Sequence, residues 1–136
     1  MELRNNSIKK EIEEILEIRD ELLEEEFVFY APQSDVEIRT WEEKNKITIP
    51  EDYKEWLRFS DGAKLEGDFA RFFGLNQFII NRTDYEKPIV IIGSLVGDGE
   101  ILAFSIETGE ILKILDGRTT IFDDFKEYLE FLINIL

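Results

Sequence analysis

The sequence predicts an α+β domain, a mostly antiparallel sheet flanked by N-terminal helices and one C-terminal helix. Three observations carry this. Up to Gly62 the apolar residues recur at helical spacing between recognisable caps. After Gly62 the chain breaks into short β-branched and aromatic runs bounded by glycines, and from Asp123 to Leu136 it returns to helical spacing. Helices, strands and a helix in separate blocks argue for α+β rather than an alternating βαβ winding. A chain of 136 residues, 43% hydrophobic and with eleven Phe, is read as one domain over 1–136 with a substantial core.

Ile8 to about Phe27 reads as a long amphipathic helix. Ile8, Ile12, Ile15, Leu16, Leu22 and Leu23 form its stripe, and Glu13, Glu14, Glu17, Asp20, Glu21 and Glu24 lie elsewhere. Glu24, Glu25 and Glu26 crowd its C-terminus, the unfavourable end of the dipole for carboxylates. Val28 to Gln33 is expected to be a loop. Ser34 and Glu37 have capping-box spacing and open a helix of about ten residues that turns Ile38 and Trp41 inward.

The densest stretch is Trp41 to Gly62. Pro50 stands where a helix begins, and Glu51 and Asp52 favour its positive end. Tyr53, Trp56, Leu57 and Ser60 share one face, and Asp61-Gly62 ends the run. Tyr and Trp at this spacing mark a packing element with polar tips at its edge.

In the second half, Phe69–Phe73 and Leu75–Ile80 are short apolar stretches, followed by a polar connection from Asn81 to Lys87. Pro88 to Ile92 is almost wholly apolar and reads as a central strand covered on both faces. Glu100–Ile106 and Ile111–Leu115 form a hairpin around Glu107-Thr108-Gly109-Glu110, closed at Asp116-Gly117. Phe125, Tyr128, Leu129 and Leu132 define the buried side of the last helix.

Charge narrows the function classes. With 31 acidic and 16 basic residues the net charge is −15, which repels phosphate backbones and anionic lipid surfaces and attracts a basic partner. No nucleic-acid or membrane binding is therefore expected. No window reads as a signal peptide or a membrane span, and with no cysteine the expected location is the cytoplasm.

Catalytic and metal chemistry find little support. There is no histidine, which removes the usual Ser-His-Asp and Cys-His machinery and histidine zinc sites. The glycine-rich segment Gly93 to Glu100 lacks the third Gly and helix start of a dinucleotide loop and the Lys of a P-loop. Its Asp98 and Glu100 would repel phosphate, and they lack the register of a calcium loop. The segment is expected to be a turn between two strands. With so many carboxylates, counting leaves a carboxylate-pair hydrolase open, though no spacing singles out a pair. The expectation is no enzyme, no cofactor and no metal.

Several motifs bear a family likeness. Glu42, Ile49-Pro50-Glu51-Asp52-Tyr53, Trp56-Leu57 and Asp61-Gly62 resemble the N-terminal signature of the SUKH superfamily, with Ile49 in place of Leu and Asn45-Lys46 in place of Leu-Gly. Ile92-Gly93, Gly97-Asp98-Gly99-Glu100, Ile101-Leu102-Ala103-Phe104, Thr108-Gly109-Glu110-Ile111 and the run Ile121 to Leu129 resemble its later motifs. The likeness spans roughly residues 35 to 132. It implies a non-catalytic protein-binding domain, in bacterial members an immunity protein that neutralises a polymorphic toxin. The alternative it implies is a regulatory or scaffolding module of the cell-wall-regulator type. The expected partner is a basic toxin domain. Asp61, Asp98 and Glu100, at turns beside the motifs, and the acidic run Glu24, Glu25 and Glu26 are the candidate contacts.

Overall fold

A computed structural model describes residues 7–21, 26–67, 69–95 and 99–136. Their order is α1 (Lys9–Glu21), β1 (Val28–Phe29), α2 (Asp35–Asn45), α3 (Glu51–Phe59), β2 (Ala63–Leu65), β3 (Ala70–Phe72), β4 (Ile79–Asn81), β5 (Ile89–Leu95), β6 (Glu100–Ser105), β7 (Ile111–Leu115), β8 (Arg118–Phe122) and α4 (Phe125–Ile135). A 3₁₀ turn at Leu75–Gln77 joins β3 to β4. The predicted α+β class holds, and every strand pairing among the described residues is antiparallel.

The strands form one sheet in the order β1-β2-β3-β5-β6-β7-β8. β5 is central. One of its edges takes β3 along Gly93–Leu95 and β4 along Ile89–Ile91, and its other edge takes β6. The register slips between Ile91 and Gly93, so Ile92 is the extra residue of a bulge. Gly93 was expected in a turn and lies inside the strand. A Cβ there would collide with the Arg71 carbonyl oxygen, so the bulged strand approaches β3 through the missing side chain.

The helices cover one face of this sheet. That inner face contributes Val90, Ile92, Leu102, Phe104, Ile111 and Phe122 to the main core, against Tyr53, Trp56 and Leu57 of α3 and Phe125, Tyr128, Leu129 and Leu132 of α4. Ile8, just before α1, and Ile15 within it are fully buried.

α3 connects the layers. Tyr53 donates its hydroxyl to Phe73 O at 2.8 Å and packs edge-on against Phe125. Trp56 meets Phe59, Phe72 and Phe125 in edge-to-face pairs. The same helix caps two others: Asp52 Oδ2 accepts the Lys126 N–H at 3.0 Å, and Glu55 accepts the Ile8 N–H at 3.1 Å and the Ser7 hydroxyl at 2.9 Å. Burial raises the Asp52 pKa above the usual carboxylate value, with nearby Asp124 adding to it against the opposing hydrogen bonds. Burial likewise drives both Tyr53 and Tyr128 upward.

Several boundaries differ from expectation. Val28–Phe29, expected as loop, pairs with Ala63–Lys64, so a strand precedes α2. The partner that makes it a strand lies about 35 residues downstream, beyond any local signal. Pro50 is the residue before α3 rather than its first turn. Ser34 does cap α2, accepting the Glu37 N–H. The stretch after Leu115 carries an unforeseen strand, β8. Asp116 and Gly117 do not close the first hairpin; with φ of 50° and 77° they form the two-residue turn of a second, β7 to β8. The first helix runs through Glu21; of its expected continuation to Phe27, residues 22–25 lie outside the described residues and Glu26 and Phe27 are not α-helical.

Candidate functional site

The candidate contacts within the described residues, Asp61, Glu100 and Glu26, fall in unrelated places. Asp61 is half-buried and engaged by the fold: Oδ1 accepts the Leu75 N–H at 2.8 Å, and Oδ2 accepts from Gln33 Nε2 at 3.4 Å. Gly62 at φ 93° and Gly74 pack against the same knot, where added Cβ atoms would meet Phe72 O and Asp61 O. Glu100 is half-buried on the inner face beside α4. Lys113 Nζ forms an ion pair with its Oε1 at 3.1 Å, and the same ammonium sits over the Phe131 ring. Glu26 is exposed, and its carbonyl accepts the Gly67 N–H. Glu24, Glu25 and Asp98 lie outside the described residues.

Glu42 is also drawn into the scaffold. Its Oε2 accepts the Ile49 N–H at 2.8 Å and pairs with Lys54 at 3.1 Å, closing the turn from α2 into α3. Burial alone would lower the Lys54 pKa, but hydrogen bonds to Glu51 and Glu42 outweigh it and the net shift is upward.

The face of the sheet turned away from the helices has a different character. Strand alternation sends Ile89, Ile101, Ala103, Leu112, Ile114 and Ile121 to this outer side, because Ile101 opposes Ile114, Ala103 opposes Leu112 and Leu112 opposes Ile121. The loop between β4 and β5 folds over one end, and its Tyr85 packs on the small cluster of Ile89, Ala103, Leu112 and Ile114. Between this loop and the β7–β8 hairpin lies a concavity of about 600 Å³. Its floor is aliphatic. Its polar lining includes the carboxylates of Asp84, Glu86, Glu110 and Asp116 and, alone among the described residues, the ammonium of Lys87.

No described helix contributes to this concavity, and Ile121 is 57% exposed. An aliphatic floor bounded by negative charge suits an apolar side chain carried on a cationic segment. Among the described residues there is no group of three or more His, Asp or Glu side chains able to hold a metal ion. No described helix is long and apolar enough to cross a membrane.

With the geometry described, the family can be stated. A sequence model of the SMI1 / KNR4 family (SUKH-1) matches residues 32–130. The chain belongs to that family. No curated protein and no solved structure matches it. Among the residues that carry the likeness, Glu42 at the α2–α3 turn, Tyr53 and Trp56 in the core and Asp61-Gly62 at the knot before β2 serve the fold, whereas Ile101, Glu110 and Ile121 line the outer concavity. The residues lining the outer concavity went unnoticed in the sequence as a site. Alternation along Ile111–Leu115, continued past an Asp-Gly turn, is the signal that places Ile114, Thr119 and Ile121 on one face.

Proposed function

We propose that this SUKH-1 chain is a non-catalytic, cytoplasmic protein-binding domain, an immunity protein that neutralises a cognate bacterial polymorphic toxin. The observation that carries the reading is the outer sheet face: an aliphatic concavity whose described lining has four carboxylates to one ammonium and no residue of a described helix. A chain of net charge −15 accelerates its encounter with a basic protein, and the concavity supplies the apolar contact that holds the complex after encounter. Inhibition then needs no chemistry from this chain, only coverage of the toxin surface. The absence of histidine fits that division of labour.

The test is co-expression with each toxin encoded beside the gene. One toxin is expected to be neutralised by the wild-type chain and to regain its toxicity when the chain carries Ile121→Lys. Failure to protect against all of them overturns the immunity reading. Several weak partners and no protected toxin would identify the regulatory module instead.

A further inference from the structure

The outer concavity is bounded on one side by β8, the last strand of the sheet. Arg118, Thr119, Thr120 and Ile121 are all exposed. The edge carries no proline, no bulge in its register with β7 and one charge, Arg118, so it lacks the usual devices that block pairing. β1, at the opposite edge, is only two residues long.

The hairpin geometry identifies which backbone groups are available. Leu115 and Arg118 flank a two-residue turn with positive φ at both central residues, so they form a pair that exchanges both hydrogen bonds. Antiparallel pairs alternate, which makes Lys113 with Thr120 the next hydrogen-bonded pair. The N–H and C=O groups of Thr119 and Ile121 therefore point away from β7. The side chains of these same two residues line the outer concavity.

We infer that a protein partner binds by adding an extended segment to β8, pairing with the outward backbone groups of Thr119 and Ile121 and turning alternate apolar side chains into the outer concavity. This rests on the reading of the outer face as the protein-binding surface. The segment is cationic. Exposed Asp116 precedes β8, and exposed Asp123 and Glu127 follow it, so basic side chains on the alternate positions of the guest meet carboxylates at either end. The charge of −15 disfavours a second copy of this chain as the guest.

The test uses a fluorescein-labelled, end-capped peptide of alternating Lys and Val, read by anisotropy at low and physiological salt. Thr119→Pro removes an outward N–H on an edge strand, a position where proline is tolerated, without changing charge. Thr119→Ala controls for the side chain, and circular dichroism checks that each variant folds. A peptide N-methylated along one edge keeps its charge and loses strand pairing, so it tests the wild-type chain even if the proline variant fails to fold.

Saturable binding is expected, weakened about tenfold or more by Thr119→Pro and by N-methylation and little changed by Thr119→Ala. Equal binding of the methylated peptide reduces the effect to charge attraction and overturns strand addition, as does no binding. A wild-type dimer that Thr119→Pro converts to monomer assigns the edge to a second copy and also overturns it. These results leave the co-expression test of the immunity reading untouched.

Discussion

The two faces of the sheet are both apolar, yet they do different things with their residues. On the inner face the large side chains of the main core pack with those of the helices, and three polar side chains of α3 are committed: Asp52 caps α4, Glu55 caps α1, and Tyr53 donates to Phe73 O just after β3 and, more loosely, to Ile92 O of β5. On the outer face the aliphatic side chains meet one loop, and the carboxylates around them mostly face water. The difference separates the residues that hold the fold from those of the proposed binding face. A residue that closes the fold is poor material for a partner, because a change that alters binding there also unfolds the domain.

Substitutions test this contrast from its strong side to its weak one. Trp56→Ala removes a fully buried indole from three ring contacts and is expected to lower stability by about 3–5 kcal/mol, read as the shift of a urea midpoint. Gly93→Ala forces a methyl group against the Arg71 carbonyl and is expected to destabilise by about 1–3 kcal/mol in the same assay. A neutral result would mean that β3 and β5 separate easily at the bulge.

Asp61→Ala leaves the Leu75 N–H without its acceptor and is expected to lower stability by about 1 kcal/mol, with partner binding unchanged below the transition. Loss of binding in a folded Asp61→Ala variant would return that residue to the interface and blur the division between faces.

Asp52 gives a pH test of the inner face. Its folded pKa lies above the unfolded value of 3.8, so the folded chain holds the proton more tightly. Its favourable contribution is complete below pH 3.8 and is lost as pH rises through the folded pKa. The stability of the wild type relative to Asp52→Asn is therefore expected to fall as pH rises through that interval. A difference that grows with pH contradicts the assignment.

The smallest stability effect belongs to the outer face. Ile121→Lys, at a position already 57% exposed, is expected to change stability by no more than about 0.5 kcal/mol while abolishing toxin neutralisation. A large loss of stability would show that this face, too, serves the fold.

Much of the scaffold was legible in the sequence because its signals are local. Ser34 at the start of α2, the Tyr53–Trp56–Leu57 spacing of α3, the Thr108-Gly109 hairpin and the Phe125–Leu132 stripe each declare an element within one or two turns of chain. The family likeness rests in part on the same residues, Tyr53, Trp56, Leu57, Thr108, Gly109 and Phe125 among them. What escaped were strands made by distant pairing: β1 exists because Ala63 and Lys64 lie beside it, and β8 because the Asp116-Gly117 turn folds it onto β7. The candidate site escaped for a related reason. Acidic residues at turns attracted attention, but Asp61 is held by Leu75 and Glu100 by Lys113, partners 14 and 13 positions away. The outer concavity draws on the 84–87 loop, β5, β6, β7 and β8 together. Sequence by itself determined which residues are apolar, where helices start and that the chain is strongly acidic. Only the tertiary structure decided which of two apolar sheet faces the helices cover, because that choice depends on how separated segments pack and not on any one segment's pattern.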